Sequence, residues 1–312
     1  MMTGQTLEAI TARLAEYGPG RLRVIFHGGE PLLRGAGWIA SAAASFRRSL
    51  PETKLSFGMQ TNGTLLTERN LEILQGAGLK IGISFDGKDA RRPFIGGRSS
   101  HEKVTRALAL LSGPYREAFG GTLTVVDPSA DPVDLYGQVA AWSPPRADFL
   151  LPLATHDSPP PPGVGPWLVE LFSHWEKLPD GLDIRLFRVI AERLLGRDRR
   201  AGFIGPPPDE ISVVFQEDGS AELADALTVA GDGLVKTGMN ARDHSLAQIA
   251  AHPGYVQPPM CATCSRCRLS DVCSGGFWVT RFRGGSFDFP SVYCADLMLL
   301  TDAIAAAIAR RK

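Results

Sequence analysis

Between residues 5 and 153 the hydrophobic pattern switches back and forth between a helical period and short apolar runs. Residues 5–17 (QTLEAITARLAEY) place Leu7, Ile10, Leu14 and Tyr17 at spacings of three and four, the mark of an amphipathic helix. Leu22–Phe26 follows as a short apolar run and reads as a strand buried on both faces. The pattern then predicts helix over 36–48, strand over Lys54–Met59, helix over 67–77 with Thr67 as N-cap, and strand over Leu79–Phe85. Helix over 99–112, strand over Leu123–Val126, helix over 131–141 and strand over Phe149–Leu153 complete the series. Strands that alternate with helices of this length require a parallel sheet with helices outside. The rhythm starts on a helix, whereas a parallel α/β barrel normally starts on a strand. The expectation is an incomplete barrel of five strands with the first strand missing. Leu22–Phe26 would then form an edge, to be covered by a second copy or a partner chain.

Residues 158–166 (SPPPPGVGP) exclude regular structure, because proline fixes φ and removes a donor. They divide the chain into residues 1–157, a linker at 158–166, and residues 167–312. Beyond the seam, one or two helices are expected within 167–196. A turn follows at Gly205–Pro208, then a hairpin built from Val213–Phe215 and Ala221–Leu223 about an Asp218-Gly219 turn, and a helix closes the chain over 296–310. Arg310, Arg311 and Lys312 suit the negative end of that helix.

All five cysteines lie after residue 260. Cys264, Cys267 and Cys273 form C-x2-C-x5-C, and Cys294 follows a loop containing Asp288, Pro290 and Tyr293. Four convergent thiolates make a complete tetrahedral site for zinc or for an iron–sulfur cluster, and the spacing leaves both open. Cys261 is expected to be a spare surface thiol. Net charge is zero, which argues against nucleic acid or an anionic membrane as partner. Apolar runs are too short to span a bilayer, and no secretory signal precedes Gln5, so a reducing cytoplasmic setting is expected.

The predicted strands end in polar or glycine-rich segments: His27-Gly28-Gly29-Glu30, Gln60-Thr61-Asn62-Gly63, Ser84-Phe85-Asp86-Gly87 and a fourth closing on Asp127. Ligands of parallel α/β sheets bind beyond the carboxyl ends of the strands, so the segments face one mouth. Gly28 and Gly29 let a ligand approach the backbone closely, and Glu30 can pair with an ammonium group. Asn62 and Ser84 suit hydroxyls or a carboxylate, while Asp86 binds hydroxyls or caps the next helix. Each of these segments is also an ordinary turn sequence. His27 faces the mouth or packs beneath the turn. Arg281 and Arg283 either contact substrate or the cluster's surroundings or lie on a solvated face, the solvated face being the expectation, and Arg91 and Arg92 are left without a role.

VIFHGGEPLL, QTNGTLL and GISFDG together resemble the core of the radical S-adenosylmethionine superfamily. The resemblance implies that Gly28, Gly29 and Glu30 bind the amino group of the methionine moiety, with Gln60, Asn62 and Ser84 lining the rest of the pocket. The tail is similar to the SPASM/Twitch extension of peptide-modifying members, most like maturases of the FxS type. It implies one auxiliary [4Fe–4S] cluster on Cys264, Cys267, Cys273 and Cys294, with Phe277 where a cysteine for a second cluster would stand. It also implies a precursor peptide as substrate, attacked by hydrogen abstraction that leads to a side-chain crosslink. The family's CxxxCxxC is not found in these residues. The radical cluster is therefore not supported, and the chain as it stands is expected not to cleave S-adenosylmethionine. Two alternatives stand beside the enzyme: a non-catalytic scaffold that binds a peptide or partner, and a zinc-stabilised regulatory module.

Overall fold

Five parallel strands in the order β1-β2-β3-β4-β5 form an open, half-barrel sheet. The computed structural model describes residues 1–87, 100–200, 203–205 and 210–311; Arg91, Arg92 and Lys312 lie outside them. Helix α1 (Gly4–Tyr17) is capped by the Thr3 hydroxyl, which accepts from Thr6 N, and ends at Gly18 with φ 63°. Strand β1 (Arg21–Phe26) leads through a 3-10 turn at Pro31–Arg34 to α2 (Ala36–Ser49). β2 (Lys54–Thr61), α3 (Glu68–Gly76) and β3 (Leu79–Ser84) follow, with Thr67 capping α3 as expected. After α4 (His101–Ser112) come β4 (Phe119–Val125), α5 (Pro132–Ala140) and β5 (Ala147–Leu150).

The two faces of the sheet differ. Partners in a parallel register share a face. Phe26, Met59, Ile81 and Phe119 are register partners in turn and lie under the helices, with Met59 and Ile81 almost fully buried. The opposite face carries Ile25 beside Gly58, then Gln60 beside Gly82 beside Gly121, then Ser84 beside Leu123. On this concave side Ile25 and Val125 remain about half exposed, at 49% and 47%. This corrects the expectation for Leu22–Phe26. β1 alternates between exposed and half-buried residues, with Arg21, Arg23 and Ile25 exposed. Among the described residues β1 pairs with β2 alone. Its two exposed arginines are the kind of charge that blunts a strand edge.

Beyond β5, Ala147 forms a single parallel bridge with Ile184, so the far edge is extended by one residue pair. Helix α6 (Val164–Trp175) starts inside the proline-rich run. Gly163 turns the chain at φ 95°, and the Asp296 carboxylate accepts from Gly165 N at 2.6 Å. Proline is tolerated in that first turn because its missing N–H has no intrahelical partner there. The expectation that residues 164–166 are irregular is thus corrected. α7 (Arg185–Leu194) packs on β5, and Asp148 pairs with the Arg185 guanidinium across that contact.

The C-terminal module contains a small antiparallel sheet of β6 (Val214–Phe215), β7 (Ser220–Glu222) and β8 (Lys236–Asn240). The short helix α8 (Leu246–Ala250) precedes the cysteine segment, which holds α9 (Ala262–Ser265) and α10 (Ser270–Cys273). The last helix, α11 (Cys294–Arg310), packs on α6 and α7. Among the described residues no helix is long and apolar enough to cross a membrane. Side-chain hydrogen bonds tie the module to the mouth end of β5. The Tyr293 hydroxyl donates to Pro152 O at 2.6 Å, His156 Nε2 donates to Pro290 O at 2.8 Å, and Gly284 N donates to Asp157 at 2.9 Å.

Candidate functional site

The parallel sheet brings the ends of β1, β2 and β3 to one rim. Gly28 sits there at φ 113°, a backbone conformation that glycine adopts without strain. A Cβ added at Gly28 or Gly29 would meet nothing within 4 Å, so the chain leaves the space above both open. His27 is exposed at the same rim.

Glu30 is engaged by the protein itself. Its carboxylate accepts from Leu32 N at 3.0 Å, from the Thr61 hydroxyl at 2.8 and 2.9 Å, and from Asn62 N at 3.0 Å. It therefore clamps the end of β1 to the end of β2. A carboxylate offers about four lone-pair sites. Three donors leave one for an incoming ammonium group, so the arrangement fits the amino group of S-adenosylmethionine. Thr61, only 2% exposed, donates to Glu30 and accepts from Gly63 N at 3.1 Å. Sequence reasoning passed over it; the signal was a buried-strand threonine directly before Asn-Gly.

Gln60 and Ser84 meet across the concave face, with Gln60 Nε2 donating to Ser84 Oγ at 2.9 Å. A Cβ at Gly82 would lie 2.2 Å from Gln60 Oε1, so glycine is what lets this side chain lie over β3. The side-chain oxygen of Asn62 accepts from Thr64 N at 2.9 Å and Thr64 Oγ1 at 2.7 Å, which is turn chemistry, and only its amide N–H groups remain for a ligand. Asp86 accepts a long hydrogen bond from Val125 N at 3.4 Å.

The second place is the cysteine cradle. Cys264, Cys267, Cys273 and Cys294 line one small cavity, with Ser270, Gly275, Leu297 and Met298 among the remaining walls. All five cysteines are free thiols. The chain reverses after Cys273 through Ser274, Gly275 and Gly276, three successive residues with φ of 50°, 81° and 69°. Gly276 N returns to Cys273 O, and Cys294 N bonds Ser291 O, which sets the start of α11 against this turn. Leu269 N donates to Cys267 Sγ at 3.4 Å. Among the described residues no three His, Cys, Asp or Glu side chains are grouped for a single metal ion. The four sulfurs border a shared space rather than one point.

Burial pushes the Cys273 thiol up to about 11, and the neighbouring Cys294 adds to the shift. Burial likewise raises Cys264, reinforced by the adjacent Cys261, and raises Cys294, reinforced by Cys267. Crowded, desolvated thiols resist ionisation until a cation compensates them. A metal centre does so, and its binding expels their protons. The donor set thus fits an iron–sulfur cluster or another thiophilic centre.

Two expectations change here. Cys261 is 4% exposed and touches Cys264, so it is not a surface thiol. Arg281 is 3% exposed rather than solvated, while Arg283 is exposed and stacks over Phe289. Phe277 packs against a separate apolar core of Leu223, Ala226, Leu227, Val235 and Val279.

Residues 3–124 match the family model described as the Radical SAM superfamily. An uncharacterized protein of Archaeoglobus fulgidus is 35% identical over 116 residues, 37% of this chain and 26% of that protein. A serine-type anaerobic sulfatase-maturating enzyme of Klebsiella aerogenes is 33% identical over 99 residues, 30% of this chain and 24% of that enzyme. The matched segment thus spans about a quarter of these curated relatives. The solved structure of anSMEcpe with bound AdoMet and Kp18Cys peptide superposes at TM-score 0.86 and 22% identity, over 99% of this chain and 91% of that one. Streptococcus suis SuiB bound to S-adenosylmethionine superposes at 0.59 and 15% identity, over 91% and 68% of the two chains. These superpositions establish a shared fold.

Proposed function

We propose that the chain, whose residues 3–124 match the Radical SAM superfamily, is the cofactor-mouth and auxiliary-cluster part of a peptide-modifying maturase of that superfamily. Residues 1–157 would present S-adenosylmethionine at the rim. Gly28 and Gly29 leave room for it, and the remaining acceptor site of Glu30 would take the ammonium group. Gln60 and Ser84 would meet the nucleoside from the concave face, with the Asn62 amide beside them. Bound and reduced by one electron, S-adenosylmethionine supplies a 5′-deoxyadenosyl radical that abstracts hydrogen. The substrate in this proposal is a side chain of a ribosomally made precursor peptide, lying along the open face of the sheet and led to a crosslink.

Residues 167–312 would hold one auxiliary [4Fe–4S] cluster on Cys264, Cys267, Cys273 and Cys294. The observation that carries this part is that four thiols from three local segments line one cavity. A cluster ligated by four cysteines has no open iron, so its role would be electron transfer or stapling. Residues 1–260 contain no cysteine. We therefore propose that these 312 residues alone do not cleave the cofactor, and that the same feature keeps a scaffold reading alive.

Anaerobic reconstitution with iron and sulfide tests the cluster: about four irons per chain and broad visible absorption are expected, and uptake of zinc alone would sink it. Calorimetric titration with S-adenosylmethionine tests the mouth. Release of 5′-deoxyadenosine by the purified chain with a reductant would overturn the proposed inactivity. A crosslink formed by a longer, cysteine-complete form on a co-expressed peptide would decide for the enzyme over the scaffold.

A further inference from the structure

The guanidinium of Arg281 lies behind the cysteine cradle with all its donors directed at main-chain oxygens. Nε donates to Gly275 O at 3.0 Å. Nη1 reaches Pro258 O at 3.4 Å and Pro259 O at 3.3 Å, and Nη2 reaches Ser274 O at 2.9 Å and Gly276 O at 3.2 Å. A guanidinium carries five N–H donors in a rigid fork, and here five carbonyls meet it. Two of them precede Cys261 and three follow Cys273, so this one side chain joins the two limbs that carry Cys264 and Cys273. The joint is close: a Cβ at Gly275 would lie 2.7 Å from Nη2. Three left-handed residues in succession at 274–276 aim their carbonyls at it.

Carbonyl oxygens satisfy the donors but do not neutralise the charge. A buried cation without a counter-ion is costly. Among the described residues every hydrogen-bond partner of this guanidinium is a main-chain oxygen and none is a carboxylate, while Gly275, whose carbonyl it binds, lines the cavity shared by Cys264, Cys267, Cys273 and Cys294. Thiolates ligating a metal centre in that cavity would supply the missing negative charge, and Cys264 and Cys273 both favour the charged form of Arg281. Arg283, two residues on, is exposed and shares none of these contacts.

We propose that Arg281 is a positioning residue and the fixed counter-charge of the cysteine cradle, holding its two limbs through five backbone carbonyls and stabilising the negative charge of thiolate-ligated iron–sulfide. The inference rests on the four-cysteine reading above, and its failure can be told apart from the failure of that reading.

The test uses the whole chain, reconstituted anaerobically with ferrous iron and sulfide, as wild type, Arg281→Gln, Arg281→Lys and Arg283→Gln. Iron and sulfide content, thermal unfolding and the midpoint potential from a dithionite titration are read for each. Arg283→Gln is expected to match wild type. Arg281→Gln is expected either to bind less than half the iron or to show a reduction equilibrium about tenfold less favourable, about 59 mV more negative for one electron. The retained charge of Arg281→Lys should recover much of either loss. Arg281→Gln with wild-type loading and potential overturns the proposal. So does Arg281→Lys that is as defective as Arg281→Gln, because charge then explains nothing. Variants that stay unfolded with or without iron and sulfide also overturn it, since Arg281 would then be a general packing residue. Wild type that takes up no iron–sulfide sinks the four-cysteine reading instead.

Discussion

The strand-end mouth and the cysteine cradle were both read as ligand sites, yet their side chains behave in opposite ways. At the mouth the polar groups largely satisfy one another. Glu30 serves Leu32, Thr61 and Asn62, Asn62 serves Thr64, and Gln60 serves Ser84. What remains for a ligand is open space over Gly28 and Gly29 and a few residual donors and acceptors. In the cradle four sulfurs line a common cavity, and among the described residues the buried cation behind them is bonded by main-chain oxygens and not by a carboxylate. A mouth assembled from turns is stable when empty, because turn chemistry consumes its polar groups. The thiols of the cradle are crowded and desolvated, which raises their pKa values.

The largest effect should separate the two regions outright. Cys273→Ser is expected to cut iron uptake from about four per chain to less than one while leaving calorimetric binding of S-adenosylmethionine within twofold of wild type. Coupled loss of both would break the comparison. Next, Glu30→Ala removes the acceptor of three donors, one of them the nearly buried Thr61 hydroxyl, and should cost about 2–3 kcal/mol in urea unfolding. An unchanged midpoint would mean that Glu30 serves a ligand and not the fold.

The cradle predicts a pH signature in metal-free, reduced protein. The Cys273 thiol is raised to about 11 from an ordinary 9.0. The folded state thus keeps a proton that the unfolded chain gives up. This contribution is complete below pH 9 and is lost as pH rises through 11, on the order of 2–3 kcal/mol. Denaturant melts from pH 8 to 11 should show the decline, and Cys273→Ser should flatten it. A flat wild-type profile would contradict the crowding. The smallest effect concerns Gly29, where an added Cβ touches nothing. Gly29→Ala should leave the melting temperature unchanged and weaken S-adenosylmethionine about tenfold, some 1.4 kcal/mol. Unweakened binding would place the ligand elsewhere.

Much of this was legible beforehand. The helical spacing of Leu7, Ile10 and Leu14 and the strand patterns at 54–59 and 79–85 mark elements whose local pattern agrees with their burial. β8 was not legible, because Lys236-Thr237-Gly238-Met239-Asn240 has neither alternation nor β-branched density and forms only through pairing with β7. The helix at Val164 was hidden by the prolines before it, since its cap comes from Asp296, 131 residues away. The concave face misled for a different reason. Arg23 interrupts Leu22–Phe26 and, with Arg21, already marked the exposed face, but the two-sided reading gave it no weight.

Sequence alone therefore determined the alternation that makes a parallel half-barrel, the rim segments that the sheet's direction brings together, and the thiol spacing at 264, 267, 273 and 294. These follow from local propensity and chain direction. Only the tertiary structure decided how each polar group is used. Glu30 and Asn62 are drawn into the chain's own hydrogen bonds, and Cys261 and Arg281 lie buried beside the cradle rather than in solvent. Partner choice depends on distances between segments remote in sequence, and the cost of burying an unpartnered charge or donor acts only once those segments are packed.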